Sequence, residues 1–338
     1  MGMRLIVLTV VAARVMFSTI KSYFQWFRTW RCVPIVTWVK AAQLFRQGRY
    51  SQASAYYLKG LEKFAHHPAS ICARLDLAYC LFRLGSYEEA KEHLRSVITS
   101  SPKKREGYLR LARIQMWTGQ PMEASWTLRR ALREVGSDAD IVASYLLAVL
   151  DNGGPSYLLK EGVAALNKLS AEDRVNPKIE VAAALISIYR GDVKNGRGRL
   201  AELAAAPHAP FEAVVNYGEV LLSEDRVAHA RQQLRRALSV AADHPRVLSL
   251  LAASYLKGGP FYNAEFAQQL AMSACQNTGW QGPREMHVLA EALYHSGDKL
   301  TALTIAHKAR DAGSKLLGNY RYVRSIERLI DSLSDQSG

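Results

Sequence analysis

The stretch LDLAYCLFRLGSYEEAKEHLRSVITSSP, residues 75–102, decides the fold. Apolar residues recur at helical spacing on both sides of Gly85, and strand signals are thin. Ala78 stands seven residues before the glycine and Ala90 five after it. Two helices that cross at close range need a small side chain on each where they meet. A glycine between them lets the chain reverse. The segment reads as a helix–turn–helix unit.

The pattern recurs along the chain. Gly48, Gly85, Gly119, Gly153, Gly191, Asp225, Gly259 and Gly297 are separated by 37, 34, 34, 38, 34, 34 and 38 residues. Seven residues before each turn stands Ala41, Ala78, Ala112, Ala184, Gly218, Ala252 or Ala290, with Leu146 the exception. Five residues after it stands Ala53, Ala90, Ala124, Ala230, Ala264 or Ala302, with Leu158 and Gly196 departing from alanine. Gly85, Gly191 and Gly297 are each 106 residues apart. Duplication of a three-repeat block or coincident loop insertions would both produce that spacing.

These residues resemble the tetratricopeptide repeat, a helix–turn–helix unit of about 34 residues. In the quoted stretch, Leu77, Ala78, Gly85, Tyr87, Ala90 and Pro102 stand where that family places its signature residues. The copies around Gly119, Asp225, Gly259 and Gly297 also fit. Those around Gly153 and Gly191 are degenerate, and the family's aromatic at the start of each unit is mostly absent. The resemblance covers roughly residues 34–313 in eight units. It implies an all-α fold, a right-handed α-solenoid of about eight repeats, in which the first helix of every unit lines a concave groove. After Gly313, Leu316, Leu317, Tyr320, Val323, Ile326, Leu329 and Ile330 mark an amphipathic capping helix within residues 314–338.

Hydrophobic residues make up 49% of the 338 and charged residues 22%, which excludes wholesale disorder. The net charge of +14 is unevenly placed. Residues 1–61 hold nine Lys and Arg and no acid, leaving +5 for the remaining 277. The basicity belongs to the N-terminal segment, and its partner is to be sought there. Cys32, Cys72, Cys80 and Cys275 form no CxxC pair and no zinc spacing, so no disulfide framework is expected.

Residues 5–13, LIVLTVVAA, are apolar without interruption. From Arg14 onward a polar stripe of Arg14, Ser18, Lys21, Gln25 and Arg28 opposes Phe17, Ile20, Phe24 and Phe27, with Trp26 and Trp30 near the border. A basic helix with an aromatic face suits a membrane–water interface and anionic lipid. We therefore expect a membrane anchor over residues 1–33, carried by Arg14, Phe17, Lys21, Phe24, Trp26, Phe27, Arg28 and Trp30. Lys21, Arg28, Arg31, Lys40, Arg46, Arg49 and Lys59 follow the apolar run and only Arg4 precedes it. The positive-inside rule then places the repeats, residues 34–313, on the cytoplasmic side of an inner membrane. The same residues also admit a cleaved signal peptide with a periplasmic product, a mitochondrial presequence, or a buried capping helix.

No enzyme constellation stands out, and no cofactor or metal is expected. GDVKNGRGR, residues 191–199, lacks the Lys and Ser/Thr of a phosphate loop and occupies a repeat turn. His287, Glu291 and His295 line one helix face but lie too far apart for one ion, and read as a polar groove wall. The repeat phase turns Tyr79, Phe82, Arg113, Met116, Trp117, Leu147, Leu150, Leu185, Ile188 and Tyr189 toward the groove, with Asn216, Glu219, Glu291 and Tyr294 farther along. The helices IVASYLLAVL and EVAAALISIY are apolar all round. Either the groove takes an amphipathic helix there, or the superhelix folds over it. The family's clamp of Lys, Asn and Arg for a C-terminal carboxylate is not reproduced.

The expected function is a non-catalytic, membrane-tethered scaffold that holds a protein partner in its groove, within a bacterial envelope assembly, polymer export or secretion complex. The alternative is a soluble or organelle-imported helical-repeat protein that binds nucleic acid through its basic surface. The near balance of charge over residues 62–338 argues against nucleic acid.

Overall fold

The computed structural model describes residues 36–151, 153–316 and 321–334, and these residues are helical with no strand among them. They divide into two compact units, one through His93 and one from Leu94. The first holds α1 (residues 36–46), α2 (Tyr50–Phe64), α3 (Ser70–Arg83) and the start of α4 (Tyr87–Ser100). The second continues with α5 (Arg105–Trp117), α6 (Pro121–Glu134), α7 (Ala139–Asp151), α8 (Ser156–Asn167) and the single turn α9 (Ala171–Arg174). Then follow α10 (Pro177–Tyr189), α11 (Val193–Ala205), α12 (Phe211–Ser223), α13 (Val227–Val240), α14 (Pro245–Leu256), α15 (Ala264–Asn277), α16 (Pro283–His295), α17 (Lys299–Lys315) and α18 (Val323–Ser334). The pairs α5–α6, α7–α8, α10–α11, α12–α13, α14–α15 and α16–α17 pack together and then against the next pair.

The repeat phase read from spacing is the phase of the fold. All eight turn positions have positive φ, from 57° at Asp225 to 114° at Gly259. Asp225 is the one without glycine, and a short polar side chain is among the few that tolerate this region. Ala41, Ala53, Ala90, Ala124, Ala230, Ala252, Ala290 and Ala302 are fully buried at the helix crossings. Where Leu146 and Leu158 break the small-residue rule, Gly162 on α8 supplies the room, since a Cβ there would strike the Leu146 side chain. At Gly196 the crossing brings backbone close: a Cβ would lie 2.5 Å from the Ala184 carbonyl oxygen and 2.6 Å from Ile188 Cγ1.

In the first unit, Ala90→Leu should overpack the α3–α4 crossing. A loss of about 1–3 kcal/mol is expected, read as a lower urea midpoint. An unchanged midpoint would mean that the crossing yields without cost.

The two 38-residue spacings have different origins. Between Gly153 and Gly191 the extra chain forms α9, between repeats. Between Gly259 and Gly297 it lies mainly within the repeat, ahead of Ala264. The recurrence at 106 residues thus reflects insertions at unlike places. At the far end Ile326, Ile330 and Leu333 of α18 are buried in the core built by α12 to α17. Leu317 and Tyr320 lie outside the described residues. So do Cys32 and the whole expected anchor, including Arg14, Phe17, Lys21, Phe24, Trp26, Phe27, Arg28 and Trp30. Among the described residues no helix is long and apolar enough to cross a membrane.

Candidate functional site: the concave faces

In the first unit the inner face of α1 and α3 is aromatic. Phe45 and Tyr79 meet edge to face at 5.3 Å between centroids, Tyr50 and Tyr79 at 5.8 Å, and Tyr79 and Phe82 at 6.4 Å. Phe45, Tyr50, Tyr79 and Phe82 are each half-buried, and the Arg83 guanidinium lies 5.2 Å over the Tyr50 ring. Tyr79 and Phe82 thus share one wall, as the repeat phase placed them. Phe45 and Tyr50 complete it.

The second unit differs. A solenoid repeat ordinarily touches only its neighbours. Here the Trp117 indole N–H, at the end of α5, donates to the Asn277 carbonyl at 2.7 Å, across 160 residues. Its ring also meets His244 edge-on at 5.1 Å. A Cβ on Gly119 would lie 2.8 Å from the Cα of Gly282. The Arg284 guanidinium of α16 donates to Asp151 at the end of α7, at 2.8 Å. The repeats of α5 and α7 therefore close on those of α14 and α16.

An ionic cluster lies within this closure. Asp151 accepts from Arg284 and lies 3.5 Å from the Arg246 guanidinium. Arg246 in turn pairs with Glu219 and donates to the Asn216 amide oxygen at 2.9 Å. Burial works against an ionised Asp151, but Arg284 and Arg246 outweigh it and hold its carboxyl down to about 2. Glu219 is likewise lowered: burial opposes its charge, and Arg246 and Arg284 prevail. Glu285, 3% exposed, goes the other way, raised by burial against the opposing pull of Arg284. His244 sits between Trp117 and Phe211, and burial, reinforced by Arg246, pushes its imidazole down to about 4.

The remaining groove residues fall into three settings. Leu147, Leu185 and Ile188 are half-buried and pack with Tyr217 and Val220 against the small core of Val181, Ala184, Leu200 and Ala213. Met116 and Leu150 are half-buried as well. Arg113 is exposed, and Tyr189, 48% exposed, donates its hydroxyl to the Gly154 carbonyl at 2.7 Å. The structure thus ties Trp117 and Tyr189 to the chain itself, a placement that helical phase alone does not give.

Of the side motifs, GDVKNGRGR forms the turn before α11 and its first residues, and Arg197 pairs with Glu224 at 3.1 Å. His287 Nε2 lies 3.5 Å from Glu291. Among the described residues no three His, Cys, Asp or Glu side chains group as a metal site. Cys80 and Cys275 are buried and Cys72 is exposed, all as free thiols.

Comparison with known proteins agrees with the repeat register. Residues 35–103 match one tetratricopeptide repeat family model and residues 83–148 match a second. A comparison with curated proteins gives no match. Among solved structures, a tetratricopeptide repeat protein from Parabacteroides merdae ATCC 43184 is similar at 13% identity and TM-score 0.56, over 77% of this chain and 98% of that one. The Cut9–Hcn1 hetero-tetramer of the APC/C is similar at 12% identity and TM-score 0.48, over 87% of this chain and 54% of that one. Yeast Tom70 follows at 11% identity and TM-score 0.40, over 91% and 96%. Residues 35–148 therefore carry tetratricopeptide repeats, and the same helix pairing continues through α17.

Proposed function

We propose that the chain is a non-catalytic scaffold that binds a protein partner and is held at a membrane by the segment ahead of residue 34. Tetratricopeptide repeats are a protein-interaction fold, which the family match brings to this chain. The observation that carries the reading is the half-buried aromatic wall of Phe45, Tyr50, Tyr79 and Phe82. Aromatic side chains that keep part of their surface in solvent are the usual anchors of a protein interface. The tether rests on the sequence of residues 1–33, with its aromatic face toward anionic lipid. The cytoplasmic side of an inner membrane, and a place in an envelope, export or secretion assembly, extend that reading.

One experiment tests both parts. Full-length chain, chain lacking residues 1–33, and full-length Phe45→Ala/Tyr79→Ala would each be used for affinity capture from solubilised membranes. The full chain should retain a reproducible protein partner, and the aromatic variant should lose it while keeping its helical circular dichroism. The truncated chain should no longer sediment with membranes. Retention that nuclease abolishes would overturn the protein-binding reading in favour of nucleic acid, and a truncated chain that still sediments would overturn the tether.

A further inference from the structure

The turn between the two helices of a repeat is three residues long in six repeats: 47–49, 84–86, 118–120, 190–192, 224–226 and 296–298. It is seven, residues 257–263, in the repeat of α14 and α15. Helix pairing in the other repeats is made with a shorter turn, and such insertions commonly carry recognition. This one displays Phe261, 64% exposed, and Tyr262, with Phe266 of α15 exposed beside them. Phe266 meets Tyr255 edge-on at 4.9 Å.

Beneath these rings lies an arginine that meets no counterion among the described residues. Arg231 of α13 is only 6% exposed, and its guanidinium stacks 4.2 Å from the Tyr255 ring centroid. It donates to the Ser254 hydroxyl at 3.1 Å, the Ser254 carbonyl at 2.5 Å and the Phe261 carbonyl at 3.3 Å. Arg235, one helical turn on and exposed, donates to the Tyr255 hydroxyl at 2.6 Å. Neither arginine pairs with a carboxylate among the described residues. Lys257 is already matched by Asp225 at 2.9 Å, and Glu265, in the first turn of α15, pairs with neither arginine. The guanidinium also lies 5.6 Å from the Phe261 ring centroid, and a desolvated cation held by neutral oxygens and aromatic faces gains more from an incoming anion than a solvated one. Arginine is suited to a carboxylate, and aromatic faces to an adjoining apolar side chain.

We propose that the α13–α15 face is a docking site for an acidic peptide segment of a partner protein, seating a carboxylate at Arg231 and Arg235 and an apolar side chain on Phe261 and Phe266. The site is separate from the aromatic wall of the first unit, and it rests on the reading of the chain as protein-binding.

The test presents the full chain in detergent with three pools of labelled short peptides and a single-stranded RNA oligonucleotide. Every peptide carries one Trp and one Leu, among Asp and Glu, among Lys and Arg, or among Ser and Gly only. Fluorescence anisotropy should show the acidic pool bound, weakening as salt is raised. Arg235→Glu and Phe261→Ser, both at exposed positions, should each weaken it about tenfold or more with unchanged melting. Binding of the neutral or basic pool, or acidic binding indifferent to both variants, would overturn this site and leave the scaffold standing. RNA bound more tightly than any peptide, or no peptide bound at all, would overturn both.

Discussion

Arg246→Ala should destabilise the second unit by about 3 kcal/mol, the lower end for breaking a buried ion pair, because its side chain keeps 20% of its exposure. The guanidinium faces Asp151 and Glu219 together. Removing it leaves Glu219 without its ion-pair partner, with only Arg284 acting on its charge from farther off, and leaves Asp151 with Arg284 alone among its close partners. The urea midpoint should fall, and the loss should depend on pH. Asp151 has a folded value near 2, below its unfolded value of about 3.9. Its contribution is complete above pH ~4 and is lost as pH falls toward 2. His244, held down to about 4, is also depressed, so it adds an acid penalty that grows from about pH 6.5 down to 4. In Arg246→Ala the folded carboxylate values should rise toward the unfolded ones, so the acid loss should be smaller and complete at higher pH, while the His244 penalty should shrink with the removal of a neighbouring cation. A variant as stable as the parent at pH 7 would show that the cluster is screened by solvent.

Trp117→Ala should cost about 3 kcal/mol or more, comparable with Leu111→Ala in the buried core of α5. The indole joins repeats 160 residues apart through its bond to Asn277 and its contact with His244. Its loss removes both the packing and the closure. Tyr189→Ala, at a position 48% exposed, should cost less. Trp117→Phe keeps most of the packing and should lose only about 1 kcal/mol with the hydrogen bond. Thermal melting of the four variants decides the matter. If Trp117→Ala melts like the parent while Leu111→Ala does not, the closing contacts contribute little, and the side chain is available to a partner.

The sequence by itself determined everything that depends on neighbours in the chain. Eight turns, their positive φ, the alanines at the crossings and the amphipathic end of the chain follow from local sterics and periodicity, which a spacing of residues records. Even the departures were local, for Gly162 relieves Leu146 within one helix pair. Part of the long-range design was visible without its meaning. Pro245-Arg246 and Pro283-Arg284 begin successive first helices in the same register, and Asp151 is an acid closing an otherwise apolar run, residues 141–150. What joins them is not periodic. Whether a solenoid stays open or folds across its own groove depends on small rotations summed over several repeats, and no residue spacing encodes that sum. Only the tertiary structure brought Asp151 to Arg284 and Trp117 to Asn277. It likewise left Arg231 buried without a carboxylate among the described residues, because a counterion is a property of space and not of sequence order.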